Sequence, residues 1–350
     1  VISAADHGPG TLRQALIDAQ DGDIIGFGPT QFPPDAPASI VLDDVLPGIF
    51  ADHLTITGEG AGVILDGTNL PETHLTGLEV VSAVSVTIEG LEVTGFHGAA
   101  IGLPKATDCL VRNNVLWGNN SGVLVSDSEA SGNVIKDNEI RNGNIGVYVS
   151  EGAHDILIAG NAIYDNEEFG VAITHEGSSA RVTENLIYDN GDEGLYVTDS
   201  WCGIFIEGPE NPPPPLITDF DLPLGEAAGV ACARCRVEVF SSEKGQGQSY
   251  AGSAVADQNG EFALSGLRFE QDRLTATATD GSMTGQFSEP TTGTQQVHVL
   301  QVANPHPKSQ FVGTRPERAF NGLGEMYSLS PSVLGATPQL FVHQAMQAGL

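Results

Sequence analysis

The amino-acid sequence predicts an all-β protein in which a parallel β-helix is followed by a β-sandwich. Four segments between residues 90 and 199 repeat one template: VRNNVLWGNNSGVLV, IKDNEIRNGNIGVYV, IAGNAIYDNEEFGVAI and VTENLIYDNGDEGLYV. A fixed period in the twenties is typical of a solenoid, in which each repeat buries its apolar face only against its neighbours. The apolar residues alternate with period 2 and are rich in Val and Ile, which favours strands over helices.

Two columns of residues recur through these repeats. Glycines recur at one constant spacing, at Gly98, Gly122, Gly146, Gly170 and Gly194. Asparagines form the second column, at Asn114, Asn138, Asn161 and Asn185. Stacked strands lie roughly 4.8 Å apart, so equivalent residues of successive coils should lie directly above one another. We predict that the asparagines form an inward hydrogen-bonded ladder and that the glycines occupy corners of the coil.

The charge balance excludes some classes of partner. The chain has 14 Lys and Arg against 45 Asp and Glu, a formal net charge of −31. Phosphate binding needs clustered cations, so we expect no nucleic-acid partner and no attraction to anionic membranes. No apolar run is long enough to span a bilayer. An acidic surface that keeps the chain soluble by self-repulsion favours a secreted or cell-surface protein.

Residues 1–27 predict a cap for the first coil. Thr11 and Gln14 have the spacing of a capping box, and the leucines and alanines that follow give a short helix one apolar face. Gly22 should end the helix, and a strand should follow it. An open first coil would expose both its core and an unpaired strand edge, so a short amphipathic helix is a suitable lid.

The N-terminal residues and the later repeats carry a family resemblance. The run GPGTLRQALIDAQDGDIIGF, followed by SIVLDDVLPGI and LTITGEG, resembles the N-terminal cap of bacterial secreted right-handed parallel β-helix proteins of the pectin-lyase-like group. The later Asn/Gly repeats resemble the same group, over about residues 1–208. The resemblance implies a right-handed helix. It is weak for activity, because the group includes lyases, hydrolases, adhesins and proteins without known activity.

The composition changes after residue 208. Residues 209–215 form a proline-rich linker, and residues 216–291 contain short strands separated by turns, which predicts a β-sandwich. The run from VEVFSS to GQFSEP resembles the Ig-like modules that follow the helix in the same secreted proteins, where they serve as spacers. Residues 292–350 remain unassigned, as a tail or part of a further domain.

The cysteines predict one local disulfide. Cys232 and Cys235 form a CxxC motif, and neither the second CxxC nor the His pair that a zinc site needs is present. We therefore favour a disulfide between them. Cys109 and Cys202 lie about four coils apart, too far to bridge, and we expect both to be free thiols.

The strand after the glycine column carries one candidate ligand site. Its outward side chains include two tyrosines, with carboxylates and a histidine just beyond. Aromatic rings beside acids on a flat β-face suit a polysaccharide, since rings stack on sugar C–H groups. The alternative is that the tyrosines only cover a solvated face. The candidate residues are Tyr148, Tyr196, Glu151, His175 and Asp199.

A group of carboxylates lies in the preceding turn. Aligning IYDNEEFG with IYDNGDEG places Asp165 against Asp189 and Glu168 against Asp192. Four carboxylates from adjacent coils suit Ca²⁺, the one cofactor we consider. A pair of them is alternatively an acid and a base or nucleophile for glycosidic cleavage. The third alternative is a set of solvated charges.

Two function hypotheses follow. The first is a secreted or surface structural or adhesive protein, without catalysis, whose partner is a glycan or another copy of itself. The second is a polysaccharide hydrolase or lyase with the four carboxylates above as its catalytic candidates. A lyase also needs cations beside a uronate, and Arg112 and Lys136 stack on adjacent coils; ion pairing with nearby acids is the expected role of both.

Overall fold

The chain winds into a right-handed parallel β-helix with three parallel sheets as its faces. The structure is a computed structural model. It describes residues 1–73, 75–174, 177–191, 212–281 and 283–291, and also the backbone of short strands at 204–206, 292, 301–302, 310–311, 319–320, 326–329 and 342–344. Residues 1–293 form one unit and residues 294–350 a second.

Among the described residues, every coil after the first contributes one strand to each of the three sheets, and the first coil contributes to sheets A and B only. Within the described residues, sheet A consists of Ile24–Gly26, Thr55–Thr57, Thr87–Glu89, Leu110–Arg112, Val134–Lys136, Ile156–Ala159 and Ala180–Thr183. Sheet B consists of Ala38–Val41, Val63–Asp66, Glu92–Thr94, Val115–Trp117, Glu139–Arg141, Ala162–Tyr164 and Leu186–Tyr188. Sheet C consists of Leu78–Glu79, Ala99–Pro104, Ser121–Ser126, Ile145–Ser150, Phe169–Ile173 and Ile204–Ile206.

The asparagine column lies at the bend between sheets A and B and forms a ladder. Asn138 Oδ1 accepts from the backbone N–H and the side-chain amide of Asn114, both at 3.0 Å. In the same way, Asn161 Oδ1 accepts from the backbone N–H and the side-chain amide of Asn138, both at 2.9 Å. Asn185 Oδ1 accepts from the same two groups of Asn161, also at 2.9 Å. All four are buried, and each amide also donates to a backbone carbonyl inside the core. The ladder therefore satisfies polar groups that the bend would otherwise leave unpaired.

A second asparagine ladder, which we did not predict from the sequence, lies at the bend after sheet B. Asn190 Oδ1 accepts from the backbone N–H of Asn166 at 3.1 Å and from its side-chain amide at 2.8 Å. Asn119 occupies the same bend two coils before Asn166, and its Oδ1 accepts from Phe96 N–H at 3.0 Å. Gly143 stands on the coil between them, and its N–H donates to Asn166 Oδ1 at 3.1 Å.

Over three coils the glycine column lies within the strands of sheet C, so the predicted corner positions are wrong there. The register pairs Ser121 with Ile145 and Ile145 with Phe169, which places Gly122, Gly146 and Gly170 in line. A Cβ on Gly146 would collide with the backbone oxygen of Gly170. Close approach of neighbouring coils thus requires glycine there.

The register corrects the predicted glycine column at its Gly98 end. Ser121 pairs with Ala99, a shorter step along the chain than the one between the glycines, so Ala100 and not Gly98 lies beside Gly122. At the other end, Val171 of the strand that begins after Gly170 pairs with Ile204. Gly194 itself lies outside the described residues.

The N-terminal helix spans Leu12–Asp18 and begins at the N-cap Thr11. The Thr11 hydroxyl accepts from the backbone N–H of Gln14 at 3.2 Å, as the capping motif predicts. The Gln14 amide turns instead to Asp18, at 2.9 Å, so the reciprocal half of the capping box is missing. Leu12 and Leu16 are buried in the solenoid core.

Two antiparallel sheets follow the solenoid, and we call residues 212–291 the β-sheet module. One sheet consists of Leu216–Asp221, Glu226–Val230 and Glu261–Leu264. The other consists of Arg236–Ser241, Ser249–Val255, Arg273–Asp280, Met283–Thr284 and Thr291–Thr292. Both contribute to one hydrophobic core. A disulfide joins Cys232 and Cys235.

Cys109 is a buried free thiol, and burial raises its pKa to about 11. Cys202 lies outside the described residues. Within residues 294–350, Gln301–Val302 pairs with Gln310–Phe311, and Ala319–Phe320, Met326–Leu329 and Val342–Gln344 form a small antiparallel sheet. Among the described residues no helix is long and apolar enough to cross a membrane.

Candidate functional site

The outer face of sheet B carries a column of large side chains that we call the aromatic stripe: Trp117, Arg141, Tyr164 and Tyr188. Each stands three residues after a ladder asparagine, and the strand register places the four on successive coils. Strand alternation turns the residue two positions after each asparagine into the core and the third one outward. The stripe spans three strand spacings, about 14 Å in all.

Contacts within the stripe hold its rings in fixed orientations. The Arg141 guanidinium carbon lies 5.7 Å from the Trp117 ring centroid, as a cation–π contact. The rings of Tyr164 and Tyr188 are parallel within 6° and their centroids lie 5.0 Å apart. Their faces therefore cover one another, and their edges remain available on the outside of the sheet.

Two glutamates bind the stripe from the neighbouring column of sheet B. Glu92 Oε1 accepts from the Trp117 indole N–H at 2.7 Å. Glu139 Oε1 accepts from the Tyr164 hydroxyl at 2.6 Å and from Arg141 Nε at 2.8 Å. The polar groups of the stripe are thus oriented before any ligand arrives.

These contacts also determine the protonation states of the stripe. The Tyr164 hydroxyl and then Arg141 lower the pKa of Glu139 below its ordinary value. Burial, and then the bond to Glu139, raises the pKa of Tyr164 to about 12. Burial and the nearby Asp165 and Asp189 raise the pKa of Tyr188. At neutral pH the two phenols of the stripe are therefore neutral, and the Glu139 carboxylate beside the stripe is ionised.

The predicted carboxylate group borders the stripe. Because Tyr164 pairs with Tyr188, the following residues Asp165 and Asp189 lie on adjacent coils. Asp189 Oδ1 is 2.9 Å from Lys244 Nζ of the β-sheet module, which compensates its charge. Within the described part of the chain, no three His, Cys, Asp or Glu side chains are placed to hold a metal ion. Asp192 lies outside that part.

Calcium binding by Asp165, Glu168, Asp189 and Asp192 therefore stays a prediction. A rise in melting temperature at millimolar calcium would support it, and an unchanged melting temperature would remove it.

The candidate site predicted on sheet C is only partly described. Tyr148 is half-buried between Leu124 and Ala172 of the adjacent strands, and its hydroxyl accepts from the Thr174 hydroxyl at 3.1 Å. Glu151 is exposed in the turn that follows, with a positive φ of 56°. Tyr196, His175 and Asp199 lie outside the described residues, so this set stays a prediction.

The two cations weighed for a lyase are both engaged by acids. Arg112 and Lys136 are paired in sheet A. Arg112 Nε lies 2.6 Å from Glu89 Oε2, and Lys136 Nζ lies 3.2 Å from Asp137 Oδ2. These contacts are the ion pairs expected for them.

We did not predict the aromatic stripe from the sequence, although its spacing along the chain indicates it. Its members recur along the chain at the same steps as the asparagine column. The arginine among three aromatic residues hides the pattern from a search for one residue type.

Comparison with known proteins supports the fold. Residues 76–208 match the family model for a right-handed β-helix region. No curated protein matches the chain. Pectate lyase Pel9A is 13% identical with a TM-score of 0.41, over 55% of this chain and 51% of that protein. The chain thus spans about half the length of that lyase.

Two further solved structures are similar. An alginate lyase from Paenibacillus is 16% identical with a TM-score of 0.36, over 55% of this chain and 76% of that one. The A-module of the mannuronan C-5 epimerase AlgE6 from Azotobacter vinelandii is 18% identical with a TM-score of 0.34, over 53% and 64%. Similarities of this size assign no activity, substrate or partner to this chain.

Proposed function

We propose that the chain is a secreted or cell-surface adhesive protein that binds a glycan along the aromatic stripe, without catalysis. The observation that carries the proposal is the stripe itself, an ordered row of half-buried aromatic side chains and hydrogen-bonding groups on a rigid sheet. Tyrosine and tryptophan provide large contact areas at low cost in side-chain entropy, together with a polar end.

The chemistry of the stripe suits a sugar chain laid along the solenoid axis. Aromatic ring edges carry partial positive charge and favour oxygen atoms, which line a glycan. Glu92 and Glu139 are acceptors for sugar hydroxyls, and Arg141 is a donor. With a net charge of −31, the chain repels polyuronates. We therefore expect a glycan without carboxylates.

The protonation states support binding without bond cleavage. A general acid needs a carboxyl that stays protonated near neutral pH, and the lowered pKa of Glu139 opposes that role. A phenol with a pKa of about 12, that of Tyr164, is a poor base at neutral pH. Asp189 is ion-paired with Lys244.

The test is a binding panel of neutral, amino-bearing and uronate polysaccharides, measured by calorimetry. We expect a non-uronate glycan to bind and Tyr188→Ala to weaken that binding by about ten-fold. Tyr148→Ala is the matched control, because it removes the same ring from sheet C. Equal losses in the two variants, or no binding by any glycan, would contradict the proposal.

Polysaccharide cleavage is the second candidate, favoured by the adjacency of Asp165 and Asp189 on neighbouring coils. Assays for reducing ends and unsaturated products on the same panel separate the two functions. Turnover that disappears in Asp189→Asn and Asp165→Asn would establish the enzyme and overturn the non-catalytic proposal.

We further infer that residues 216–291 are an Ig-like module. Two antiparallel sheets that share one core support this assignment. An N-terminal cap role for residues 1–27 is supported by the burial of Leu12 and Leu16 in the solenoid core. Replacing Leu12 with Ser should destabilise the first coils first, as hydrogen exchange would measure.

A further inference from the structure

The last described strands of sheets A and B leave an edge that the solenoid itself does not fill. Ala180–Thr183 ends sheet A and Leu186–Tyr188 ends sheet B within the described residues. An edge of this kind presents unpaired N–H and C=O groups that pair readily with another chain. The β-sheet module meets this edge.

Side chains of the module take the place of a strand along sheet A. The Thr284 hydroxyl accepts from Val182 N–H at 2.9 Å and donates to Val182 C=O at 3.2 Å. The buried carboxylate of Glu238 accepts from the Thr183 hydroxyl and, at 2.8 Å, from the backbone N–H of Glu184. These bonds satisfy the groups that a further coil would have satisfied.

The module also extends the second asparagine ladder. Gln246 Oε1 accepts from the backbone N–H of Asn190 at 3.0 Å and from its side-chain amide at 3.3 Å. Asn190 accepts from Asn166 through the same two donors one coil earlier. Gln246 Nε2 donates back to Asn190 C=O at 2.5 Å, and Ile187 N–H donates to Gly247 C=O at 2.9 Å. Gln246 thus stands where the next asparagine of the ladder would stand.

Two aromatic rings close the end of the apolar core. Phe240 and Phe287 are buried and belong to the core of the solenoid, with their centroids 5.5 Å apart in an edge-to-face arrangement. They line one small cavity together with Val182 and Ile187 of the last strands. The module therefore covers apolar surface that would otherwise face water.

Ion pairs surround this contact. Arg236 Nη2 lies 3.3 Å from Glu184 Oε1, and Lys244 Nζ lies 2.9 Å from Asp189 Oδ1. Only 14 of the 350 residues are Lys or Arg, so two cations here form a complementary rim in a strongly acidic chain.

We propose that the β-sheet module is the C-terminal cap of the solenoid and withholds this end from a second copy of the chain. The module matches the end at three levels: strand edge, asparagine ladder and core. A solenoid end without such a match exposes both apolar surface and an unpaired strand edge. The same exposed end of a second copy can then pair with it.

The experiment compares the wild-type chain with the double variant Gln246→Ala/Thr284→Val. Amide hydrogen exchange should accelerate on the order of ten-fold at Val182, Ile187 and Asn190, while amides in the module's own strand Arg236–Ser241 stay protected. Sedimentation velocity should show higher-mass species that grow with concentration. Gln248→Ala, in the same loop, is the control and should change neither measurement.

Unchanged protection at the solenoid end would overturn the cap, and faster exchange without self-association would overturn the claim that it excludes a second copy. If the double variant loses protection inside the module, Lys244→Glu replaces it. That reversal sets a glutamate beside Asp189 and leaves the module core intact. It should loosen the same solenoid amides, and full protection there would overturn the proposal.

Discussion

The substitution Asn161→Ala tests the first asparagine ladder at its centre. Asn161 Oδ1 accepts from the backbone and side-chain amides of Asn138 at 2.9 Å, and its amide donates to Ile135 C=O at 2.9 Å. Alanine leaves the Asn138 N–H and the Ile135 C=O without this partner in the core. Each buried group left unpaired costs about 1–3 kcal/mol. Two such groups predict a loss of about 2–6 kcal/mol in the free energy of unfolding.

The assay is urea unfolding followed by circular dichroism, with Asn69→Ala as the control. Asn69 is exposed, and among the described residues its amide reaches Asp43 Oδ1 alone, at 3.5 Å, so its loss should change stability by less than about 0.5 kcal/mol. Equal unfolding midpoints for the two variants would refute the argument that the ladder stabilises the coil bends.

Three further predictions concern other parts of the chain. Gly146→Ala should destabilise by about 1–3 kcal/mol through overpacking against the next coil, whereas Gly26→Ala, with open space around its Cβ, should leave the melting temperature unchanged. Arg13→Ala removes the arginine that lies 2.5 Å from the buried Asp6, whose other oxygen lies 3.2 Å from His7 Nε2, and should cost about 3–5 kcal/mol in urea unfolding; a loss near zero would contradict this. The ultraviolet titration of wild type minus Tyr164→Phe should give a phenol pKa of about 12. Because this pKa is raised on folding, the stability it contributes is present below about pH 10 and is lost as the pH rises through 12; a midpoint near 10 would show that neither burial nor the bond to Glu139 acts on the hydroxyl.

The solenoid was predictable because its signal repeats. A strand that alternates with period 2 and a bend that always carries asparagine give the same information in every coil. The helix start at Thr11 was likewise local, since an N-cap is determined by a few adjacent residues. The prediction of the glycine column was wrong at Gly98. The step between coils is shorter there, so residues at equal sequence spacing no longer lie in the same register.

The candidate site was less accessible from the sequence. Tyr148 was chosen because it follows a glycine, yet the stacked rings lie after the asparagine, on sheet B. Rings stack there because Tyr164 and Tyr188 share one register position, which composition alone does not indicate. The contacts of Gln246 and Thr284 join residues 56 and 102 positions apart, and no local pattern predicts such pairs.

The most direct test of glycan binding uses the indole N–H resonance of Trp117, one of two tryptophans in the chain. A non-uronate oligosaccharide from the binding panel is titrated against labelled protein, with Trp117→Phe to assign the signal. The aromatic stripe predicts that this resonance and the ring protons of Tyr188 shift together and saturate at the calorimetric affinity. Shifts confined to Tyr148, with the Trp117 indole unmoved at saturation, would contradict the account.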